Sequence, residues 1–185
     1  VSVLLKDITV IQTGLFAKPS GSGEVVYLQA RHFDENGRLF SELHPDLMAE
    51  GISDKHLLKN GDVLFASKGT KNFAAIYESL NKPAVASTSF FVIRLVDQKV
   101  LPEYLSWFLN SPSAQARIKG QAIGTSIPSI SKQVLLNLEI SVPDMDTQKT
   151  ILAIAMLRDK EKEIKQEIES LREVQIQQQI LNAIK

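Results

Sequence analysis

The sequence predicts an α+β fold: a compact mixed domain over residues 1–146, then one long α-helix over 147–185 that projects for coiled-coil packing. Three observations carry the expectation. Residues 148–183 contain neither Gly nor Pro and are rich in Lys, Glu, Gln, Leu and Ile, which are good or adequate helix formers. Upstream, short β-branched runs are interspersed with short amphipathic segments, without the βαβ rhythm of a parallel sheet. The apolar fraction of 44% is ordinary for a globular chain, and no internal repeat of useful period is present.

Taken in order, residues 4–11 end as a strand through Ile8, Thr9, Val10 and Ile11. Residues 12–23 form a loop whose Pro19-Ser20-Gly21-Ser22-Gly23 part is the most pliable. Residues 24–30 read as a strand, followed by Arg31-His32-Phe33 and a turn over 34–38, where Asn36-Gly37 supplies positive φ. Gly61-Asp62 signals another turn into the strand 63–67; after the polar tip 68–72, residues 73–77 return antiparallel. Residues 84–96 finish as a strand over 90–95. Pro102 opens an amphipathic helix over 102–109, Asn110-Ser111-Pro112 breaks it, and residues 113–119 form a second helix closed by Gly120. A polar loop at 124–129, a helical turn at 131–136 and a last strand at 138–142 lead to Pro143.

Thr147 is the expected N-cap of the long helix, with Asp144 and Asp146 favourably placed against its dipole. At 1.5 Å per residue the helix would be on the order of 54 Å long. Its start, through Ile151, Leu152, Ile154, Ala155, Met156 and Leu157, is apolar almost all round and is expected to be buried in the body. Beyond it the apolar residues thin to a seam of Leu157, Ile164, Ile168 and Leu171, then Val174, Leu181 and Ile184. Steps of three, four and seven suit a packed helix pair. The register slips near Val174, where Ile176 and Ile180 fall off the seam.

Zero cysteines exclude a disulfide framework, a thiolate zinc site and a cysteine nucleophile. No apolar run could span a bilayer and no secretory leader is visible, which fits a cytoplasmic protein and predicts no membrane association. The chain opens on Val1 rather than Met, so a natural start further upstream is expected. Formal net charge is zero, unlike most nucleic-acid-binding domains, which are basic. The charge is unevenly spread, however. Residues 63–133 carry eight Lys/Arg against three Asp/Glu, whereas residues 1–62 carry six against nine. A local electropositive face is compatible with that asymmetry.

Catalytic and metal-binding patterns are missing. His32, His44 and His56 stand twelve apart, which is no ligand spacing on one element. There is no phosphate loop, and Gly21-Ser22-Gly23 lacks the strand–helix setting of a dinucleotide site. Pro143-Asp144 with Glu163-Ile164-Lys165 spells a nuclease-like set, but the Glu and Lys fall about five turns along a helix. No cofactor and no metal are therefore expected. The tip after strand 63–67 is more informative. Lys68 and Lys71 can neutralise phosphates, and Thr70 and Asn72 can hydrogen-bond base edges. An ordinary polar hairpin tip would look the same. Arg31 and His32 are a second candidate reader, with Thr88 in Ser87-Thr88-Ser89, and Ser126 and Ser129 in the loop 124–131, as further donors.

The whole pattern resembles a family, the DNA specificity subunits of type I restriction–modification systems. The resemblance rests on Leu58-Lys59-Asn60-Gly61-Asp62-Val63-Leu64-Phe65-Ala66-Ser67-Lys68-Gly69, then Leu101-Pro102-Glu103-Tyr104-Leu105-Ser106-Trp107-Phe108-Leu109-Asn110-Ser111. Ile127-Pro128-Ser129-Ile130-Ser131 and Leu138-Glu139-Ile140-Ser141-Val142-Pro143 follow, with Gln148 and Ile151 leading into the helix. Asp144 stands where the family usually has a second Pro, and Thr147 where it usually has Glu. The resemblance implies one target-recognition domain with its following helix, half of the usual two-domain subunit. It implies double-stranded DNA as ligand, no catalytic site, and methyltransferase (modification) and restriction subunits as partners. It also implies a homodimer through Ile164, Ile168 and Leu171, since two long helices pair antiparallel in such subunits. The alternatives are a recognition domain of a single-chain restriction–methylation enzyme, and a coiled-coil scaffold that binds only protein.

Overall fold

The computed structural model describes residues 1–34, 37–39, 43–69, 71–78, 82–122 and 128–184. Thr70, Ser126, Glu35 and Asn36 lie outside the described residues. The chain divides into two units, Val1–Met145 and Asp146–Lys185.

The first unit is built on a four-stranded antiparallel sheet in the order β2-β7-β4-β5. Its strands are β2 (Thr9–Thr13), β4 (Val63–Ala66), β5 (Ala74–Ile76) and β7 (Phe90–Leu95). Central β4 is buried along its whole length, which is why Val63, Leu64, Phe65 and Ala66 read as a continuous apolar run rather than an alternating one. Beside the sheet, β3 (Val26–Leu28) pairs in parallel with β6 (Ala84–Ala86). β1 (Ser2–Leu4) pairs with β8 (Glu139–Ser141), joining the two ends of this unit. The strand expected at the end of residues 4–11 is β2; ahead of it Leu5–Ile8 makes one helical turn, α1, with Leu5 and Ile8 buried, so that Ile8 falls in the turn rather than the strand.

Two cores flank β3, whose successive side chains point to opposite faces. Val26 and Leu28 join Phe33, Leu64, Phe73, Phe90 and Val92. There the rings of Phe33, Phe73 and Phe90 meet with centroids 5.5–6.0 Å apart, the spacing of edge-to-face aromatic packing. Val25 and Tyr27 face the other way, against Leu47 and Val85, with Leu15, Ala17, Ile52 and Leu57 around them.

Helix α2 (Pro102–Asn110) packs on β4 and β5. Edge strand β5 is closed by this helix. The Asn110 amide accepts from Ala74 N–H and donates to Ala74 C=O, both at 2.8 Å, and Ser106 Oγ adds a bond to the same carbonyl. A side chain thus takes the place of a neighbouring strand and blunts the edge. Ser111 caps α3 (Pro112–Lys119) through Ala114 N–H, and Ser131 caps α4 (Lys132–Leu136) through Val134 N–H.

Helix α5 runs from Met145 to Ala183. It starts two residues before the expected cap at Thr147, which falls inside the first turn. Asp144, a capping residue type at least as good as Thr, stands directly ahead of the helix. The expectation of a buried helix start is not met: Ile154, Met156 and Leu157 are 55%, 67% and 64% exposed. Residues apolar on all sides of a helix need neighbours on all sides, and the local pattern cannot say whether those exist.

Candidate nucleic-acid interface

Strand directions bring most of the candidate residues to one end of the sheets. β4 runs antiparallel to β7 with Ala66 opposite Phe90, and β2 does so with Thr13 opposite Phe91. β3 runs parallel to β6 with Leu28 opposite Ala86. The segments that leave β2, β3, β4 and β6 therefore emerge together. Backbone bonds lock them side by side: Leu15 N–H donates to Ala86 O at 2.7 Å, Ser87 N–H to Leu28 O at 2.8 Å, and Ser67 N–H to Ser89 O at 2.9 Å. The loop after residue 127 is drawn in as well, since Gly69 N–H donates to Pro128 O and Ile130 N–H to Ser67 O. Gly69 turns the tip at φ +102°, a left-handed conformation that favours glycine. Arg31, His32, Lys68, Thr88 and Ser129 thus share one end of the domain.

Their chemistry differs from residue to residue. Lys68 is exposed and its backbone pairs with Ser129. Thr88 sits half-buried in the tight β6–β7 turn, where Phe90 N–H donates to Ser87 O at 3.0 Å. Lys71 is exposed beyond the tip. Asn72 is employed inward: its Nδ2 donates to Ala66 O at 2.9 Å and ties the tip to the end of β4. That bond takes one of the two amide protons expected to read a base.

Arg31 and His32 belong to a single 3-10 turn, Ala30–His32, rather than to a strand end. Gln29 N–H donates to His32 Nδ1 at 3.2 Å, while Arg31 Nε stands 3.4 Å from Nε2. Both contacts aim a donor at the ring, and a neutral imidazole accepts at one nitrogen only, so the two compete. Burial, and after it the charge of Arg31, pushes the His32 pKa below its ordinary 6.5, with Asp46 opposing. Arg31 and His32 thus stand side by side, with the remaining guanidinium N–H groups of a kind that suits guanine O6 and N7 or a phosphate.

The far end of β4 holds an ion pair that the sequence reading did not anticipate. Asp62 is 2% exposed; it accepts from Arg94 Nε at 2.7 Å and Nη2 at 2.5 Å, and from Lys59 N–H at 2.8 Å. This bond to Asp62 holds the Arg94 pKa above its ordinary value. The Lys59-Asn60-Gly61-Asp62 stretch that carries much of the family resemblance is thus a structural clamp, at the opposite end of β4 from Lys68. Among the described residues no three His, Cys, Asp or Glu side chains gather within reach of one metal ion. No helix among them is long and apolar enough to cross a membrane.

This arrangement of strands and helices is one already seen in an S subunit of a type I restriction-modification system from M. genitalium, with a TM-score of 0.61 at 17% identity over 86% of this chain and 39% of that one. The HsdS subunit from Thermoanaerobacter tengcongensis shares the fold with a TM-score of 0.66 at 22% identity, over 89% of this chain and 43% of that one. The profile of the type I restriction modification DNA specificity domain matches residues 5–170, and the chain belongs to that family. It is 27% identical over 158 residues to the type I restriction enzyme MjaVIII specificity subunit of Methanocaldococcus jannaschii, covering 80% of this chain and 37% of that protein. It is 28% identical over 118 residues to the type I restriction enzyme EcoKI specificity subunit of Escherichia coli, covering 58% and 24%. The chain therefore spans less than half the length of each of these relatives.

Proposed function

We propose that residues 1–146 read a short sequence in double-stranded DNA, and that the chain carries no catalytic site and needs no cofactor. In this reading it brings methyltransferase (modification) and restriction subunits of a cytoplasmic type I system to the chosen site. The observation that carries the reading is the gathering of Arg31, His32, Lys68, Thr88 and Ser129 at one end of the sheets, within a family defined by DNA specificity. Lys68, Lys71 and Arg31 would set the register on phosphates, while His32, Thr88 and Ser129 would face base edges. Duplex binding followed by fluorescence anisotropy across a salt series tests it. The wild-type chain should lose affinity steeply as salt rises, and Lys68→Ala should flatten the log–log slope by about one unit. A wild type with no affinity for duplex at low salt would overturn the reading.

Helix α5 would pair with a second long helix, and in solutions of this chain that helix is a second copy's, packed antiparallel. The supporting observation is its apolar seam. Leu157, Ile164, Ile168, Leu171, Val174 and Leu181 are all 44% exposed or more. Burying each fully would contribute roughly 1.5–3 kcal/mol. Two recognition domains held a fixed distance apart would read two half-sites around an unread gap, and identical halves would make the site palindromic.

A further inference from the structure

We infer that Phe16 is an apolar contact to the bases of the bound duplex; the inference rests on the DNA-reading proposal above. Phe16 is 74% exposed, the most exposed aromatic ring among the described residues. Single exposed apolar residues are common on protein surfaces, so exposure alone would mean little. What sets this one apart is how firmly the structure holds it out. The buried Tyr27 phenol grips the backbone on both sides, donating to Leu15 O at 3.0 Å and accepting from Ala17 N–H at 3.3 Å. Leu15 and Ala17 turn inward onto the core around Tyr27 and Val85. With both neighbours tied down, the ring between them has nowhere to fold back.

Its position is fixed equally tightly. Gly14 N–H donates to Phe90 O at 3.0 Å and Leu15 pairs with Ser87. A Cβ on Gly14 would stand 2.1 Å from Ser87 O, so only glycine lets the chain run this close to the β6–β7 turn. Phe16 therefore follows directly on a segment held to the β6–β7 turn, at the end that carries Arg31, His32 and Lys68, with exposed Lys18 two residues on. A pre-positioned ring among cationic and donor side chains matches a nucleic-acid surface, where charges meet phosphates and an apolar group meets bases. A protein partner is disfavoured by the same neighbours, because lysine is depleted in protein interfaces. The apolar surface offered by the duplex is either a thymine methyl or the face of a partly opened base step.

The test uses the full chain and a fluorescein-labelled duplex of about 30 base pairs, selected from a random pool by the wild-type protein. Phe16→Ala should weaken binding roughly tenfold while leaving the salt slope unchanged, because an apolar side chain displaces no counterion. Phe16→Leu should recover most of the loss, and the melting temperature of both variants should match wild type. Uracil in place of thymine at one position would reproduce the loss in wild type but not in Phe16→Ala if the contact is a methyl. A 2-aminopurine signal that brightens with wild type and stays quenched with Phe16→Ala would indicate an opened step instead. If the pool yields no duplex, the DNA reading fails and this inference with it. If wild type binds and Phe16→Ala binds equally well, only this inference is overturned. Normal DNA affinity with weakened methyltransferase association would overturn it in favour of a protein contact.

Discussion

Removing either partner of the Asp62–Arg94 pair should destabilise the domain, and the two losses should be unequal in a definite direction. Asp62 is 2% exposed, whereas the Arg94 side chain is 30% exposed. Arg94→Met keeps the aliphatic stem and leaves a buried carboxylate with one remaining bond, from Lys59 N–H at 2.8 Å. An uncompensated buried charge of this kind costs about 3–5 kcal/mol. Asp62→Asn leaves a guanidinium that can turn to water and retains a carbonyl for Lys59 N–H, so about 2 kcal/mol is expected. At about 2–4 °C per kcal/mol for a chain of this size, the melting temperature should fall roughly twice as far in Arg94→Met. Urea denaturation of both variants and the double variant at neutral pH measures these losses and their coupling. A larger loss in Asp62→Asn than in Arg94→Met, or losses in both below about 0.5 kcal/mol, would refute the clamp, since ordinary surface changes fall within that range.

Three other outcomes are expected. His32 should titrate below 6.5 by NMR; because its folded pKa is depressed, its contribution to stability is complete above the unfolded value and lost as pH falls through the folded one, a dependence that His32→Gln should abolish. Asn72→Ala should lower stability by about 1 kcal/mol through the lost bond to Ala66 O, read by thermal melting; an unchanged melt would return this side chain to base reading alone. Sedimentation should show a dimer at tens of micromolar that Ile164→Asp/Ile168→Asp dissociates, while a monomeric wild type would dismiss self-association.

Much of the fold was legible in the sequence because its signals are local. A stretch of 36 residues without Gly or Pro could hardly be anything but helix α5. Pro102 marks the start of α2, Ser111-Pro112 the break before α3, Gly61-Asp62 the turn into β4, and the antiparallel return of β5 follows from the short polar tip between the strands. Each of these acts within about ten residues, the range over which propensity and periodicity operate. The helical turn at Leu5–Ile8 escaped because four residues are too few to show a helical period, and packing against the unit's far end decided it: Leu5 N–H donates to Leu138 O at 2.9 Å.

The sequence by itself determined the inventory: which residues can meet phosphate, which can hydrogen-bond a base, and which apolar residues line the long helix. Tertiary structure alone decided how that inventory is used. Arg31, Lys68, Thr88 and Ser129 come from four segments spread over about a hundred residues, and they share one end only because β3 runs parallel to β6 while β4 runs antiparallel to β7. The same pairing turned Asn72 inward, tied His32 Nδ1 to Gln29 N–H, and joined Asp62 to Arg94 across 32 residues. Strand direction and register are settled by burial of the whole sheet, a non-local free energy that no window of sequence contains.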